Sequence, residues 1–183
     1  MKKGIIIGLL FTCIFASSAR VMTYNLLNYD DDNSRETYFI TIINFVNPNI
    51  IVAEEVQSQT GYSHFKSDVL DVANPNEWSG ATFTNQSASQ DIALYYQHDL
   101  FTFISTSTIN TAQSSGTRDV VEWVMMHNDS EIEFRIYGVH LKASSGDENA
   151  QQRLAETTIL RDYLNTLPAG SEFIVAGDFN IYS

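Results

Sequence analysis

Cysteine is almost missing: the 183-residue chain has one, Cys13, and it lies in the N-terminal apolar stretch. No disulfide can therefore staple the remainder, and its stability must come from a hydrophobic core, which a chain of this size can build. Positive charge is scarce too. Ten Lys and Arg face 22 Asp and Glu, for a net charge of −12. A field of that sign draws nucleic acid poorly over long range. Two readings stay open: a non-nucleic substrate, or bound cations and a local basic patch that do the attracting. Low-complexity tracts, clear internal repeats and dividing linkers are also lacking. The length suits one folded domain better than two.

Long apolar runs are limited to one, Gly4 to Ala16, preceded by Lys2 and Lys3 and followed by Ser17-Ser18-Ala19. It is too short to span a bilayer comfortably. It reads as a secretory signal peptide cut after Ala19. A lipoprotein reading at Cys13 is weaker, because Thr12 stands where a small residue is needed. The expected organisation is a signal peptide at 1–19 and one domain at 20–183. Cleavage leaves 164 residues and, with Lys2 and Lys3 gone, a net charge of −14. The expected location is secreted or periplasmic, with no transmembrane segment in the mature chain.

What is present is a series of short periodic segments. "RVMTYNLLNY" reads as a strand with Val21, Thr23 and Asn25 on one face. A helix follows, with Asn33 and Glu36 at capping-box spacing and Phe39, Ile42, Ile43 and Val46 on one stripe, closed by Pro48. "NIIVAEEV" is an apolar strand ending in acid. "SHFKSDVLDVA" suggests a short helix, followed by a loop through Pro75 and Gly80. "DIALYYQ", "FTFISTSTI", "RDVVEWVMM" and "EIEFRIYGVHL" alternate as antiparallel strands and hairpins do. A last helix has Ser145 and Glu148 at capping-box spacing, with Ala150, Leu154, Thr157, Leu160 and Leu164 as its inward stripe. "FIVAG" closes the set. Helices separated by mixed strand runs point to two packed sheets with helices outside.

Polar groups sit where these strands end: Asn25, Glu55, His140, Asp178 and Asn180. Each alone has an ordinary explanation as a turn former or rim residue. Together they make an oxygen-rich, mostly anionic set of the kind that suits a hard divalent cation. A phosphodiester needs such a cation, and a group to protonate the leaving oxygen. Alternation lets only one of Glu54 and Glu55 face such a site.

"MTYNLLNY", "PNIIVAEEV", "YGVHLKA" and "VAGDFNIY", in this order, resemble the endonuclease/exonuclease/phosphatase superfamily, the deoxyribonuclease I-like fold. GDFN after an apolar strand is the most specific element, and the likeness runs from Val21 to the last residue. It implies a four-layer α/β sandwich of two mixed sheets packed face to face with outer helices. It also implies roles. Glu55 would be the main Mg²⁺ ligand with Asn25 beside it, Mn²⁺ or Ca²⁺ being alternatives. Asp178 would position or deprotonate the attacking water, and Asn180 would hold a phosphoryl oxygen. His140 resembles the histidine of the deoxyribonuclease and sphingomyelinase branches and argues against abasic-site repair. Arg118 resembles an arginine that touches a substrate phosphate, and Lys142 either assists it or is a plain surface charge.

Two departures stand out. The family usually has Gln-Glu where this chain has Glu54-Glu55; with Glu55 as the implied ligand, Glu54 is expected to face away, and the effect of the change is expected to be mild. In the family further strands follow GDFN, then an Asp-His pair; that pair is absent from these 183 residues, so the resemblance implies a fold incomplete at its C-terminus. His98 and His127 fall in expected turns and His64 in an expected helix, so none replaces it. The expected function is a secreted Mg²⁺-dependent phosphodiesterase, foremost an endonuclease on DNA or RNA, with no stable protein partner. The alternatives are a sphingomyelinase-like or other phosphoesterase, or a non-catalytic chain.

Overall fold

The structure, a computed structural model, describes residues 18–31, 34–86, 89–114 and 116–182. Nearly all of the expected signal peptide, and the expected capping residue Asn33, lie outside the described residues. The chain runs β1 (Val21–Tyr29), α1 (Glu36–Val46), β2 (Ile50–Val56), α2 (Gln59–His64), a π-helical stretch (Phe65–Leu70) and α3 (Asp71–Ala73). It continues through β3 (Trp78–Gly80), β4 (Asp91–Gln97), β5 (Phe101–Ile109), β6 (Val120–His127), β7 (Ile132–His140), α4 (Asp147–Leu164) and β8 (Phe173–Asp178).

The strands form two four-stranded sheets, ordered β1-β2-β4-β3 and β5-β6-β7-β8. β1 and β2 are parallel, as are β7 and β8; every other pairing is antiparallel. Both sheets are therefore mixed. Both also have two covered faces, and this explains why β2 and β4 read as apolar runs rather than as alternating strands.

On β2, Ile51 and Ala53 face outward to Phe39 and Ile43 of α1 and to Phe65 and Val69 of the π-helical stretch. Ile50 and Val52 face inward and join Ile92 and Leu94 against Val121, Trp123, Met125, Ile136 and Ala176 of the second sheet. The outer face of that sheet packs Tyr137 and Val139 under Leu160 and Leu164 of α4. The result is the four-layer α/β sandwich the sequence implied. Trp123 packs against Gly138, where a Cβ would come 2.5 Å from the edge of its ring.

Several local expectations are corrected. α1 begins at Glu36, whose carboxylate accepts the Tyr29 hydroxyl at 3.1 Å. α4 begins at Asp147 behind Gly146, so Ser145 and Glu148 form no capping box. Its inward face holds at Leu160 and Leu164, but Leu154 is 58% exposed and Glu156 is buried instead. The helix is rotated because Glu156 reaches in to accept the Lys142 backbone N–H at 2.9 Å. The middle helix starts earlier than expected, at Gln59, with Ser58 accepting the Gly61 N–H at 3.1 Å. The expected loop at Gly80 contains β3, held in place by buried Trp78. His127 ends β6 rather than lying in a turn; His98 and His64 sit in a turn and a helix as expected. Among the described residues, no helix is long and apolar enough to cross a membrane.

Candidate active site

The C-terminal ends of the two parallel pairs, β1 with β2 and β7 with β8, meet where β8 packs against the first sheet. Two backbone irregularities aim the side chains there. β1 loses its register after Asn25, with Leu27 and Asn28 at φ 51° and 56°. β2 bulges at Glu55, which adopts φ 63°. A bulge re-aims a side chain out of strict alternation. It puts the Glu55 carboxylate among three donors: Asn25 Nδ2 (2.9 Å) on Oε1, and the Asn28 N–H (3.0 Å) and Gln90 Nε2 (3.3 Å) on Oε2.

The bulge also overturns the expectation for Glu54. This residue pairs with Asn25 and Ile92 and lies buried beneath the cluster, not turned away from it. Its Oε1 accepts the Thr23 hydroxyl at 2.8 Å, and its Oε2 is buried without a partner. Burial pushes its pKa up to about 8, with the charges of Asp178 and Glu55 adding to the effect and the Thr23 bond opposing it. Burial thus favours the protonated, uncharged form of Glu54. In that state it resembles the glutamine more usual at this position in the similar family.

β8 delivers the other half. Asp178 lies opposite His140 in the β7–β8 ladder. Gly177 has φ 139°, and a Cβ there would sit 1.9 Å from the Val139 carbonyl oxygen. The glycine of GDFN is thus what lets β8 close onto β7. Asp178 Oδ2 accepts from Asn25 Nδ2 at 3.2 Å, and its Oδ1 accepts the Asn180 N–H at 2.9 Å. Asn180 turns at φ 48° and donates Nδ2 to the Leu141 carbonyl at 2.9 Å. His140 is buried, with Nε2 3.9 Å from Glu55 Oε1. Burial, and next the Arg118 charge, lower its pKa, against the pull of Asp178 and Glu55. Burial thus favours the neutral imidazole.

Arg118 is also buried. It donates Nη2 to Gln90 Oε1 at 2.5 Å and Nε to the Ser89 carbonyl at 3.3 Å. Gln90 passes the connection on, since its Nε2 reaches both Glu55 and, at 2.5 Å, Asn28 Oδ1. The cluster thus brings together Asn25, Glu55, His140, Asp178 and Asn180, with Arg118 joined through Gln90. Lys142 stays at the margin, its ammonium bonded to the Ala143 carbonyl at 3.2 Å. Asn28 and Gln90 were not singled out from the sequence. The available signal was slight: each is a polar residue beside a buried strand, and both adopt positive φ.

Among the described residues, no three or more His, Cys, Asp or Glu side chains form a metal cage. The donor set nevertheless fits a small hard cation. The carboxylates of Glu55 and Asp178, from different sheets, are both within hydrogen-bond reach of Asn25 Nδ2, and their oxygens are the ligands Mg²⁺ takes, one or two carboxylates with several waters.

No protein-family model and no curated protein matches the chain. Solved structures do. D. rerio TDP2 in complex with a single-strand DNA product gives a TM-score of 0.71 at 13% identity over 90% of this chain and 62% of that one. The human Nocturnin catalytic domain with bound sulfate gives 0.67 at 23% identity, over 90% and 64%. A Bacteroides thetaiotaomicron mannosyl-6-phosphatase gives 0.62 at 15% identity, over 90% and 66%. The chain therefore has the endonuclease/exonuclease/phosphatase fold, and spans less than two thirds of the length of each of these structures.

Proposed function

We propose that the cluster is the phosphoryl-transfer site of a divalent-cation-dependent phosphodiesterase, foremost an endonuclease acting on DNA or RNA. One observation carries this reading: Glu55 and Asp178, from separate sheets, meet at the Asn25 amide with His140 and Asn180 beside them. Glu55 and Asp178 would hold Mg²⁺, with Asn25 alongside. When bound, the cation neutralises the phosphoryl oxygens and the charge that builds on the leaving oxygen.

The protein groups divide the remaining work. With Oδ2 turned to the Asn25 amide and the cation side, Asp178 uses the lone pair left on Oδ1 beside the Asn180 N–H to orient a water for in-line attack and accept its proton. Asn180 Nδ2 has a second N–H beyond the one given to Leu141, and offers it to a phosphoryl oxygen. Neutral His140 donates from Nε2 to another. Arg118 supplies positive charge, and its fork is held in place by Ser89 and Gln90.

A second reading, a sphingomyelinase-like or other phosphoesterase, is favoured by the net charge of −12 and by the fold shared with a mannosyl-6-phosphatase. We place the protein outside the cytoplasm on the strength of residues 1–19, which fractionation of the producing cells would test. The functional test compares supercoiled plasmid, RNA and sphingomyelin, each with Mg²⁺ and with EDTA. Plasmid nicking that needs Mg²⁺ and fails in Glu55→Ala and Asp178→Ala supports the first reading. Nicking that survives both substitutions removes these residues from the mechanism.

A further inference from the structure

Asn180 can hold a phosphoryl oxygen only if its nitrogen, not its oxygen, faces the substrate. A carboxamide is nearly symmetric in shape, so something must set its direction. Leu141 contributes by accepting from Nδ2. The opposite end of the amide meets Tyr182, whose hydroxyl lies 3.1 Å from Asn180 Oδ1. That hydroxyl also accepts the Ser144 N–H at 3.0 Å. A phenol has one proton. With the Ser144 N–H pointing at its oxygen, Tyr182 is left to donate that proton to Asn180 Oδ1.

We propose that Tyr182 is a positioning residue that fixes the direction and polarity of the Asn180 amide. The inference rests on the phosphoryl-transfer reading above. The hydroxyl bond draws electron density toward Oδ1 and makes the free N–H of Nδ2 a better donor, as linked hydrogen bonds do. The tyrosine is itself held. Arg153 places its guanidinium 5.2 Å from the centre of the Tyr182 ring and donates to the Lys142 and Ser144 carbonyls, each at 2.9 Å. The turn after His140 and the segment after Asp178 are thus tied at one phenolic oxygen. Tyr182 is 47% exposed, so it has little core function, and removing its hydroxyl leaves the packing intact.

The test is Tyr182→Phe, which keeps the ring under Arg153 and deletes only the hydroxyl. The readout is the side-chain amide resonance pair of Asn180 in a ¹H–¹⁵N spectrum, identified by its loss in Asn180→Asp. Inorganic phosphate is titrated in the presence of Mg²⁺. The expected result is that Tyr182→Phe shifts the Asn180 pair before any phosphate is added. It should also raise the phosphate needed for half-saturation by about 3- to 10-fold, the worth of one hydrogen bond. Tyr182→Leu, which also removes the stacked ring, should shift the same pair.

If Tyr182→Phe leaves the Asn180 pair where it was, the proposal is overturned, whatever happens to the melting temperature. Should phosphate leave the Asn180 pair of the parent protein unmoved, the phosphoryl-site reading fails instead. The phosphate-free comparison still decides the role of Tyr182.

Discussion

Glu55 and Asp178 stand on different sheets, yet each accepts a hydrogen bond from the same nitrogen, Asn25 Nδ2, at 2.9 and 3.2 Å. Like charges brought this close repel, and a neutral amide offsets that only in part. On the proposed phosphoryl-transfer reading, a cation completes the arrangement. Asn25→Asp removes the shared donor and adds a third carboxylate. In EDTA its melting temperature should fall several degrees below that of the parent, and Mg²⁺ should restore most of the difference by binding the folded state alone. Thermal melts with and without Mg²⁺ check this; a loss that Mg²⁺ does not repair contradicts it.

Arg118→Lys tests the fork. Lysine keeps the charge but cannot reach both the Ser89 carbonyl and Gln90 Oε1 in fixed geometry. Binding of inorganic phosphate in Mg²⁺ should weaken at least about 10-fold. Equal binding by the two proteins, measured by calorimetry, would show that charge alone suffices.

Asp91 gives a pH signature. It is fully buried at the start of β4, and burial pushes its pKa from 3.8 up to about 6, against the opposing pull of the Gln86 N–H and Arg118. The folded protein therefore holds this proton at a pH where the unfolded chain has released it. Stability from this group is present below about pH 4, falls as pH rises to about 6, and stays lost above. Asp91→Asn, which retains an acceptor for Gln86, should be more stable than the parent above pH 6 by about 2 kcal/mol, with little gain at pH 4. Urea unfolding across this range reads the difference.

Gly177→Ala should destabilise the protein by at least about 2 kcal/mol, since the new methyl collides with a backbone carbonyl at a positive φ. A drop in the urea midpoint with an unchanged slope is the expected form. A neutral result would mean that β8 sits farther from β7 than described.

Strands with strong apolar content were legible from sequence, and β2, β4, β5 and β8 lie where the pattern put them. The starts of the middle and last helices were not. Ser145 and Glu148 had the right spacing for a capping box, but spacing cannot tell whether the chain reaches the helix in the required conformation. Gly146, at φ 99°, shows that α4 is entered another way. The site was legible as a set of residue types at strand ends. Its wiring was not, because Glu54 and Gln90 acquire their partners only through tertiary contact, as Tyr182 does with Ser144. Glu54 was misjudged by a sound rule, strand alternation, at the one place on β2 where a bulge suspends it.

The most direct measurement is a crystal structure of the protein soaked in Mn²⁺, with the metal located by its anomalous scattering. One strong peak is expected between the Glu55 and Asp178 carboxylates, about 2.2 Å from the nearest oxygen. This peak should be lost in Glu55→Ala. Strong Mn²⁺ peaks elsewhere on the chain, with nothing between these two carboxylates, would contradict it.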